Sequence, residues 1–328
     1  MRVQLTPPGW ATHLLSDLTD WQRAPVAVRE MRPLTLPDDV YFEYAYLDAE
    51  GRRRPDPANH RPRLNPWWEY ACNLVGPDYR PHPLATLQRG PLEGTLRRLA
   101  LASRVLGQER SLHVYSPPGC AETALPHVVF QDGKAYLGWA LVPQVYERLL
   151  AGGAVRRAHL VMIPPTDRTR EYAFNAYYRR FLVAEALPCA EAAAPCNGER
   201  TAWGASLGGL LSAMLAWEHP DLFQTVVTQS GAYLFGPDQD LRDPFHGSEW
   251  LVREAERTPA PVRRWHLDCG TLEWLRPSNS RMAAALDRHG CLVELVLRPA
   301  GHNWMNWRNG LAAAFRFALG GTAARLGV

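Results

Sequence analysis

The chain has 328 residues, of which 46% are apolar and 21% are charged; this composition is that of a folded protein and excludes a disordered one. Its formal net charge of +3 is too small to indicate a nucleic-acid partner, and no run of about 18 apolar residues predicts a membrane span. Because the amino terminus also lacks the apolar stretch of a secretory signal, we expect a cytoplasmic protein.

The six cysteines give no sign of a metal centre. None of them forms a C-x-x-C pair, so we expect no metal, no cofactor and mostly free thiols. Cys189 and Cys196 stand close enough in the sequence for a disulfide, and this alternative stays open.

The first 85 residues predict a small β domain. Aromatic residues alternate with others along residues 41–46, a period-two pattern typical of a half-buried strand. Turn signals stand on both sides, Pro37-Asp38-Asp39 before it and Glu50-Gly51 after it, and no long helical pattern occurs. We therefore predict a small immunoglobulin-like β-sandwich over residues 1–85.

Residues 86–328 predict an α/β domain, because apolar strands alternate there with amphipathic helices. The predicted strands cover residues 111–115, 127–131, 158–163, 201–205, 225–230, 264–269 and 293–298. The predicted helices cover residues 136–150, 171–187, 207–218, 278–289 and 304–318. This alternation favours a mostly parallel sheet with helices on both faces.

A G-x-S-x-G motif lies between a predicted strand and a predicted helix. In Gly204-Ala205-Ser206-Leu207-Gly208 the serine would sit on a sharp turn, where glycine neighbours allow strand and helix to approach closely. Strand, turn and helix are the context of the nucleophile elbow in α/β-hydrolases. The motif therefore predicts Ser206 as a nucleophile at a helix amino terminus.

His302 is the best candidate for the general base. It follows the last predicted strand on a Gly-containing loop, from which it could reach a serine at the carboxyl edge of the sheet. His289 and His219 follow predicted helices, and His266 lies within a predicted strand, so these three are poorer candidates.

Two carboxylates follow the strand at 264–269 and could orient the histidine. Glu273 lies beyond Gly270 in the loop, which favours it, whereas Asp268 lies near the end of the strand itself. A Ser-His dyad without an acid is a third possibility. The sequence leaves these alternatives open.

The oxyanion of acyl transfer needs two N–H donors. One is expected from Leu207, directly after the nucleophile. The other is expected from the loop after residues 127–131, where Gly133 and Lys134 are the candidates. An ordinary Asp-Gly turn is the alternative interpretation of this loop.

Five segments of the carboxyl-terminal part match one known family in content and in order. They are Phe130-Gln131-Asp132-Gly133, Asp167-Arg168-Thr169-Arg170-Glu171-Tyr172, the elbow, Gly270-Thr271-Leu272-Glu273, and Gly301-His302-Asn303-Trp304 with Trp307-Arg308. Over about residues 95–320 the chain thus resembles the "putative esterase" family, which includes enterochelin esterases, esterase D and feruloyl esterases.

The resemblance implies a Ser206–His302 pair oriented by Glu273, where many members carry Asp. It also implies that the charged segment 167–171, with Arg168 and Arg170, shapes the substrate cleft, the alternative being a structural cluster of ion pairs. It implies as well that two tryptophans line the pocket, although packing of the last helix would also explain them; these are Trp304 and Trp307.

The amino-terminal part resembles the β-sandwich ahead of the catalytic domain in enterochelin esterases, and also the carbohydrate-binding module of glycogen-active enzymes. The residues that carry this likeness are Asp17-Leu18-Thr19-Asp20-Trp21, residues 41–46, Asp48, Gly51 and Asp56-Pro57-Ala58-Asn59. Trp21 could stack on a sugar or belong to the core.

These observations predict a metal-independent serine carboxylester hydrolase that acts on a small-molecule ester. By analogy the ester could be a ferric siderophore lactone, whose negative charge suits arginines. The alternatives are an esterase or acyltransferase acting on acylated glycans, and a glycan-binding protein with an inactive hydrolase scaffold. The oligomeric state cannot be read from the sequence.

Overall fold

The computed structural model describes residues 1–19, 21, 23–238 and 246–320 of the chain. Asp20, one of the residues that carry the amino-terminal resemblance, lies outside the described residues.

The amino-terminal part contains two antiparallel sheets, of five and of two strands. Its strands are β1 (Arg2–Val3), β2 (His13–Ser16), β3 (Val26–Ala27), β4 (Leu34–Thr35), β5 (Tyr41–Leu47), β6 (Arg53–Arg54) and β7 (Cys72–Val75). The central strand β5 pairs with β2, β6 and β7, and β1 pairs with β4. Val3 and Leu34 of the small sheet share an apolar cluster with Phe42 and Tyr44 of the large one. The immunoglobulin-like topology stays a prediction.

Strand β5 is not half-buried, as its alternation predicted, but buried on both faces. Phe42, Tyr44 and Tyr46 point into the amino-terminal cluster. Tyr41, on the opposite face, packs against Ala300 in the loop before His302. The carboxyl-terminal part thus covers the Tyr41 end of the second face, whereas Ala45 on the same face packs against amino-terminal residues such as Trp21.

An eight-stranded mixed sheet forms the centre of the molecule. Its strands are β8 (Thr95–Ser103), β9 (Gln108–Ser116), β10 (Leu125–Phe130), β11 (His159–Met162), β12 (Cys196–Ala205), β13 (Thr225–Gln229), β14 (Arg264–Gly270) and β15 (Leu292–Arg298). Their order across the sheet is β8-β9-β11-β10-β12-β13-β14-β15. Strand β9 runs antiparallel to both of its neighbours, and all other adjacent pairs are parallel.

Helices cover both faces of this sheet. They are α1 (Gly133–Gly138), α2 (Val142–Ala151), α3 (Arg168–Tyr172), α4 (Ala176–Phe181), α5 (Leu187–Ala193), α6 (Leu207–Glu218), α7 (Trp250–Arg257), α8 (Arg276–Arg288) and α9 (Trp304–Leu319). One apolar cluster holds side chains of α3 to α8, and a second holds those of α1, α2 and α9. A mostly parallel sheet between two helical layers is the predicted α/β-hydrolase architecture. Within the described ranges no helix is long and apolar enough to span a membrane.

The amino-terminal sheet rests on the loop that follows β15. The Tyr41 N–H donates to the Pro299 carbonyl at 3.0 Å, and Tyr41 forms a parallel bridge with Ala300. Asp17 lies so close to Gly301 that a Cβ there would come within 2.0 Å of its carboxylate. The two parts of the chain therefore meet directly beside His302.

Candidate active site

Ser206 occupies the turn between β12 and α6, as the motif predicted. Its φ of +56° and ψ of −123° are a strained combination for a residue with a side chain. The turn is held by the Ser206 N–H, which donates to the Gln229 carbonyl at 2.8 Å, and by the Ser206 carbonyl, which accepts from Ala232 at 3.0 Å. Backbone bonds to β13 and to the loop after it therefore stabilise the strained conformation.

The glycines around Ser206 each have a steric reason. A Cβ on Gly204 would lie 2.2 Å from the Gly208 carbonyl oxygen, so the strand and the helix can approach this closely only with glycine there. A Cβ on Gly208 would meet the Asp132 carboxylate at 2.9 Å, and one on Gly209 would meet Gly231 at 3.1 Å. The elbow is tightly enclosed by its neighbours.

His302 and Glu273 form a buried hydrogen-bonded pair. His302 Nδ1 lies 2.7 Å from Glu273 Oε2, and the Glu273 side chain is fully buried. The two loops that carry them are joined, because the Leu272 N–H donates to the Ala300 carbonyl at 3.1 Å. Since Glu273 occupies Nδ1, Nε2 is the ring nitrogen left to exchange a proton with a nucleophile.

Asp268, the other candidate acid, has different partners. Its Oδ1 lies 2.9 Å from Arg298 Nη2, and its Oδ2 accepts a hydrogen bond from Gln229 Nε2 at 2.9 Å. Gly310 on α9 leaves room for this ion pair, since a Cβ there would lie 2.3 Å from Asp268 Oδ2. Asp268 thus ties β14 to β13 and β15 and does not contact His302.

The three weaker histidine candidates lie in structural positions. His266 Nδ1 lies 3.0 Å from Glu294 Oε2 on the neighbouring strand β15. His219 and His289 follow the carboxyl ends of α6 and α8, as the helical pattern indicated.

Three residues support Glu273, and sequence reasoning missed two of them, Ser230 and Asn306. The Glu273 Oε1 accepts hydrogen bonds from Ser230 Oγ at 2.6 Å, from the Gly270 N–H at 2.7 Å and from Asn306 Nδ2 at 3.1 Å. Three donors hold this oxygen in place, and the other carboxyl oxygen, Oε2, is left for the His302 ring. Ser230 and Asn306 carry no local signal, because they come close to Glu273 only in the folded chain.

The predicted oxyanion loop follows β10, but only one of its two candidates offers a free donor. The Gly133 N–H donates to the Ile163 carbonyl at 3.0 Å, so it is occupied and does not fit the role expected of it. Gly133 serves close packing instead, since a Cβ there would lie 2.5 Å from Ile163 N. Lys134 and Leu207 each lie in the first turn of a helix, where backbone N–H groups lack intrahelical acceptors.

Arg168 connects the oxyanion loop to the elbow. Its Nε and Nη2 donate to both oxygens of Asp132, at 2.7 and 2.9 Å, and Nη2 also donates to the Ala205 carbonyl at 3.0 Å. Burial tends to lower the pKa of Arg168, but the Asp132 carboxylate outweighs this and raises it. These bonds match the structural ion-pair interpretation, although the side chain remains 29% exposed at the cleft.

The rest of the charged segment forms a second set of contacts. Glu171 is buried and accepts two hydrogen bonds from Arg110, at 2.6 and 3.0 Å. Asp167 caps α3 by accepting from the Arg170 N–H at 3.1 Å. The Arg170 side chain is exposed.

Three tryptophans in contact with one another lie beside His302, whose ring also contacts a fourth, Trp274, at 4.8 Å between ring centres. Trp307 is fully buried, donates from Nε1 to Ser230 Oγ at 2.9 Å and contacts the His302 ring at 5.1 Å between ring centres. Trp304 contacts Trp307 at 4.9 Å. Trp67, which sequence reasoning missed, comes from the amino-terminal part and contacts Trp304 and Trp307 at 5.3 and 5.4 Å and the Arg168 guanidinium at 5.7 Å.

Two buried acids lie behind the His302 loop, and sequence reasoning missed them as well. Asp17 accepts hydrogen bonds from the Glu43 N–H at 2.7 Å and from Trp21 Nε1 at 3.1 Å. Burial raises the pKa of Glu43 to about 7. Burial, together with the nearby Glu43 and Glu273 carboxylates, raises the pKa of Asp17 well above its usual range. The site thus has protonatable groups on the side of the amino-terminal sheet.

Trp21 belongs to the core and is not placed to stack on a sugar. It is 2% exposed and packs against Trp68 and Tyr70. Cys189 and Cys196 are free thiols, so the disulfide left open by the sequence is absent between them. Across the described ranges, no three His, Cys, Asp or Glu side chains are arranged to hold a metal ion.

Comparison with known proteins connects this geometry to one family. Residues 103–318 match the esterase family described as "Putative esterase". An uncharacterized protein, YjcH, of Bacillus subtilis (strain 168) is 30% identical over 152 residues, which are 43% of this chain and 63% of that protein. The iron(III) enterobactin esterase of Dickeya dadantii (strain 3937) is 28% identical over 234 residues, which are 67% of this chain and 54% of that protein.

Solved structures share the fold over most of the chain. The ferric enterobactin esterase of Salmonella typhimurium superposes with a TM-score of 0.75 at 17% identity, covering 93% of this chain and 88% of its own. The enterobactin esterase of Shigella flexneri, solved in the presence of enterobactin, gives a TM-score of 0.74 at 19% identity and covers 96% and 90%. The family match covers most of the chain. The chain therefore belongs to the esterase family described as "Putative esterase" and has the α/β-hydrolase fold.

Proposed function

We propose that this protein is a serine carboxylester hydrolase with Ser206 as nucleophile, His302 as general base and Glu273 as the acid that orients it. The observation that carries the proposal is the combination of a strained serine on a strand-to-helix turn with a buried histidine–glutamate pair at 2.7 Å. His302 lies on the carboxyl side of β15, and Ser206 lies on the carboxyl side of β12, so both project at the same edge of the sheet.

In the first half of the reaction, Ser206 Oγ attacks the ester carbonyl and His302 Nε2 takes its proton. The tetrahedral intermediate collapses as the imidazolium returns that proton to the leaving alcohol, which leaves an acyl-enzyme. Water then attacks the acyl group, with His302 again as base, and the acid is released. Throughout, Glu273 holds the ring by Nδ1 and stabilises its positive charge.

The negative charge on the carbonyl oxygen needs two donors. We assign them to the Leu207 N–H at the start of α6 and to the Lys134 N–H in the first turn of α1. Arg168 supports this arrangement, because its bonds to Asp132 and to the Ala205 carbonyl join the two loops that carry the donors. The amino terminus of α6 adds its dipole on the same side.

For the substrate, we propose an ester of the siderophore-lactone class. Two observations support this: the curated relative in Dickeya is an iron(III) enterobactin esterase, and the Shigella neighbour was solved with enterobactin. Arg168, which is 29% exposed, and the exposed Arg170 of the same segment would favour an anionic complex. A second candidate is an aromatic acyl ester, which the likeness to a ferulic acid esterase favours at a TM-score of 0.61, 20% identity and 70% coverage of this chain.

The first experiment is hydrolysis of a panel of short-chain esters by wild type and by Ser206→Ala, with labelling by a fluorophosphonate probe. We expect turnover and labelling by wild type, and a loss of about 10³-fold or more in Ser206→Ala. Ser280→Ala on α8 is the matched control and should keep full activity. Equal activity of wild type and Ser206→Ala would contradict the assignment.

The same panel decides between substrates. A ferric catecholate lactone, feruloylated sugars and simple esters are compared by kcat/KM. Cleavage of simple esters with the lactone left intact would reject the siderophore proposal while keeping the serine hydrolase.

A further inference from the structure

The amino-terminal part contacts residues 299–301, the segment of backbone that leads directly into His302. The Tyr41 N–H donates to the Pro299 carbonyl at 3.0 Å. The carboxyl group of Asp17 packs against the backbone two positions further along. The peptide that carries the proposed general base is therefore held on one side by residues from a different part of the chain.

The contact between Asp17 and Gly301 leaves no room for a side chain on the glycine. A Cβ on Gly301 would lie 2.0 Å from both Cγ and Oδ1 of Asp17, and the three heavy atoms nearest to it all belong to the Asp17 carboxyl group. Gly301 does not take a left-handed φ, so its backbone conformation alone would allow an alanine. It is thus the Asp17 carboxyl group, and not the local turn, that excludes a side chain here.

The Asp17 carboxyl group is itself fixed in place. Its Oδ2 accepts from the Glu43 N–H at 2.7 Å, and its Oδ1 accepts from Trp21 Nε1 at 3.1 Å. Asp17 is 3% exposed and Trp21 is 2% exposed, and the Trp21 ring packs against Trp68. The carboxyl group therefore cannot turn away from Gly301 without leaving a buried donor unpaired, which is costly.

On the other side of the same loop, hydrogen bonds connect His302 to the proposed acid. His302 Nδ1 lies 2.7 Å from Glu273 Oε2, and the Gly301 carbonyl accepts from Asn306 Nδ2 at 3.3 Å. The Asn306 amide also donates to Glu273 Oε1 at 3.1 Å. The loop is thus held between two supports, one from each part of the chain, and its position determines where His302 Nε2 lies.

We propose that Asp17 is a positioning residue of the catalytic histidine, and that the amino-terminal sheet is a fixed support for the His302 loop. The proposal rests on the esterase function proposed above, because Asp17 acts on the reaction only through the position of His302. It gives the amino-terminal part a role in catalysis that needs no ligand of its own. Since a displacement of about 1 Å can cost about 10²-fold in rate, the effect of Asp17 should appear in kcat and not in KM.

A double-mutant cycle tests the contact. We expect Gly301→Ala to lower kcat about 10²-fold, because its methyl group meets the Asp17 carboxyl group, and Asp17→Ala to lower it about 10-fold, because the loop loses its support. In Asp17→Ala/Gly301→Ala the new methyl group takes the space that the carboxyl group has left, so kcat should fall only about 10-fold, with KM little changed in all three variants. A fall of about 10³-fold, the product of the two single effects, would overturn the proposal.

Two further variants separate positioning from a loss of stability, and they decide the proposal even where Gly301→Ala does not fold. Asp17→Asn keeps the shape of the carboxyl group and should keep kcat within about threefold of wild type. Asp56→Ala removes another buried acid of the amino-terminal part, which accepts from Tyr44 Oη at 2.7 Å and from the Ala58 N–H at 2.9 Å. It should lower the melting temperature, as Asp17→Ala does, and leave kcat unchanged. Equal losses of kcat in Asp56→Ala and Asp17→Ala would overturn the proposal.

An NMR measurement without turnover separates this proposal from the esterase function. The ring Cε1–H signal of His302 is identified by its absence from His302→Gln, and it responds to ring displacement because Trp274 and Trp307 lie 4.8 and 5.1 Å away. We expect this signal to move in Gly301→Ala and in Asp17→Ala, and to stay in place in Asp17→Asn. A signal that stays in place in all of these variants would overturn the proposal. Failure of wild type to hydrolyse phenyl acetate, with the signal moving as expected, would reject the esterase function alone.

Discussion

At the scale of single residues, Glu273 and Asp268 stand close together in the sequence, but their carboxylates have different partners in the structure. Glu273 accepts four hydrogen bonds, one of them from His302. Asp268 pairs with Arg298 and Gln229 inside the sheet. The first arrangement suits proton transfer, and the second suits stability.

We expect Glu273→Gln and Asp268→Asn to separate these two roles. Glu273→Gln should lower kcat by roughly 10²- to 10⁴-fold with little change in KM, because a neutral amide neither orients nor stabilises the imidazolium. Asp268→Asn should lower the free energy of unfolding by roughly 3 kcal/mol while the folded enzyme keeps most of its kcat. Steady-state kinetics and urea unfolding of both variants test this. A large loss of kcat in Asp268→Asn with little loss in Glu273→Gln would instead assign the orienting acid to Asp268.

The sequence was sufficient to place Ser206 and His302 on turns that follow recognisable strands, whereas it left Glu273 and Asp268 open as alternatives for the acid. It was not sufficient for the Gly133 N–H, whose availability depends on the pairing of β10 with β11. Residue type and spacing show which N–H groups a loop contains. Which of these N–H groups remain free depends on the hydrogen bonds that the loop makes with neighbouring segments.

At the scale of elements, the elbow is a tightly packed connection of the sheet. Strand β12 and helix α6 approach so closely that Gly204 and Gly208 touch backbone to backbone. Helix α6 is buried along almost its whole length. It packs on strands β12 and β13 and shares one apolar cluster with the other helices from α3 to α8.

We expect Gly204→Ala to disrupt this connection. Its Cβ would lie 2.2 Å from the Gly208 oxygen and 2.3 Å from the Gly208 carbonyl carbon, so strand or helix must shift. Overpacking of a buried site costs about 1–3 kcal/mol or more, and the shift also displaces Ser206. Thermal unfolding and ester hydrolysis measure both effects, and Gly9→Ala, in open space, is the control. Unchanged activity in Gly204→Ala would show that the elbow is less rigid than argued.

The elements of the parallel sheet were predictable from their apolar patterns, but some boundaries were not. The single helix predicted over 136–150 is two helices, because Leu141 takes a φ of +52° between α1 and α2. The helix predicted over 171–187 is likewise interrupted, where Asn175 caps α4. Strand β8 and helix α7 were missed, since Arg97-Arg98 break the alternation of β8 and the eight residues of α7 are too few to establish a helical period.

At the scale of the whole molecule, the amino-terminal sheet supplies two buried acids behind the His302 loop. Neither Asp17 nor Trp67 could be assigned to the site from the sequence, because their contacts join residues hundreds of positions apart. Composition and turn signals correctly predicted β structure in the amino-terminal part. They carry no information on which face of its sheet packs against the carboxyl-terminal part.

The pKa of Glu43, raised by burial to about 7, predicts how stability depends on pH. A carboxyl whose pKa is higher in the folded state stabilises the fold fully below its unfolded value of about 4.3, and this contribution is lost as pH rises through 7. We therefore expect wild type to lose about 3 kcal/mol between pH 4.5 and 8 from this group.

Glu43→Gln imitates the protonated acid and should remove the part of this dependence that is due to Glu43. Urea unfolding between pH 4.5 and 8 measures the slope, with Glu122→Gln, at an exposed position, as control. Identical slopes in wild type and Glu43→Gln would show that Glu43 titrates in the same range folded and unfolded.

The bridge between Tyr41 and Ala300 also determines when a newly made chain can become active. Tyr41 leaves the ribosome early, whereas Pro299, Ala300 and the helix after His302 are among the last described residues to be synthesised. Pairing of such distant segments is slow and comes late in folding. The Tyr41 face of the amino-terminal sheet therefore stays uncovered until the segment around Ala300 has been synthesised, and a nascent chain that lacks this segment cannot assemble the proposed Ser206–His302 centre.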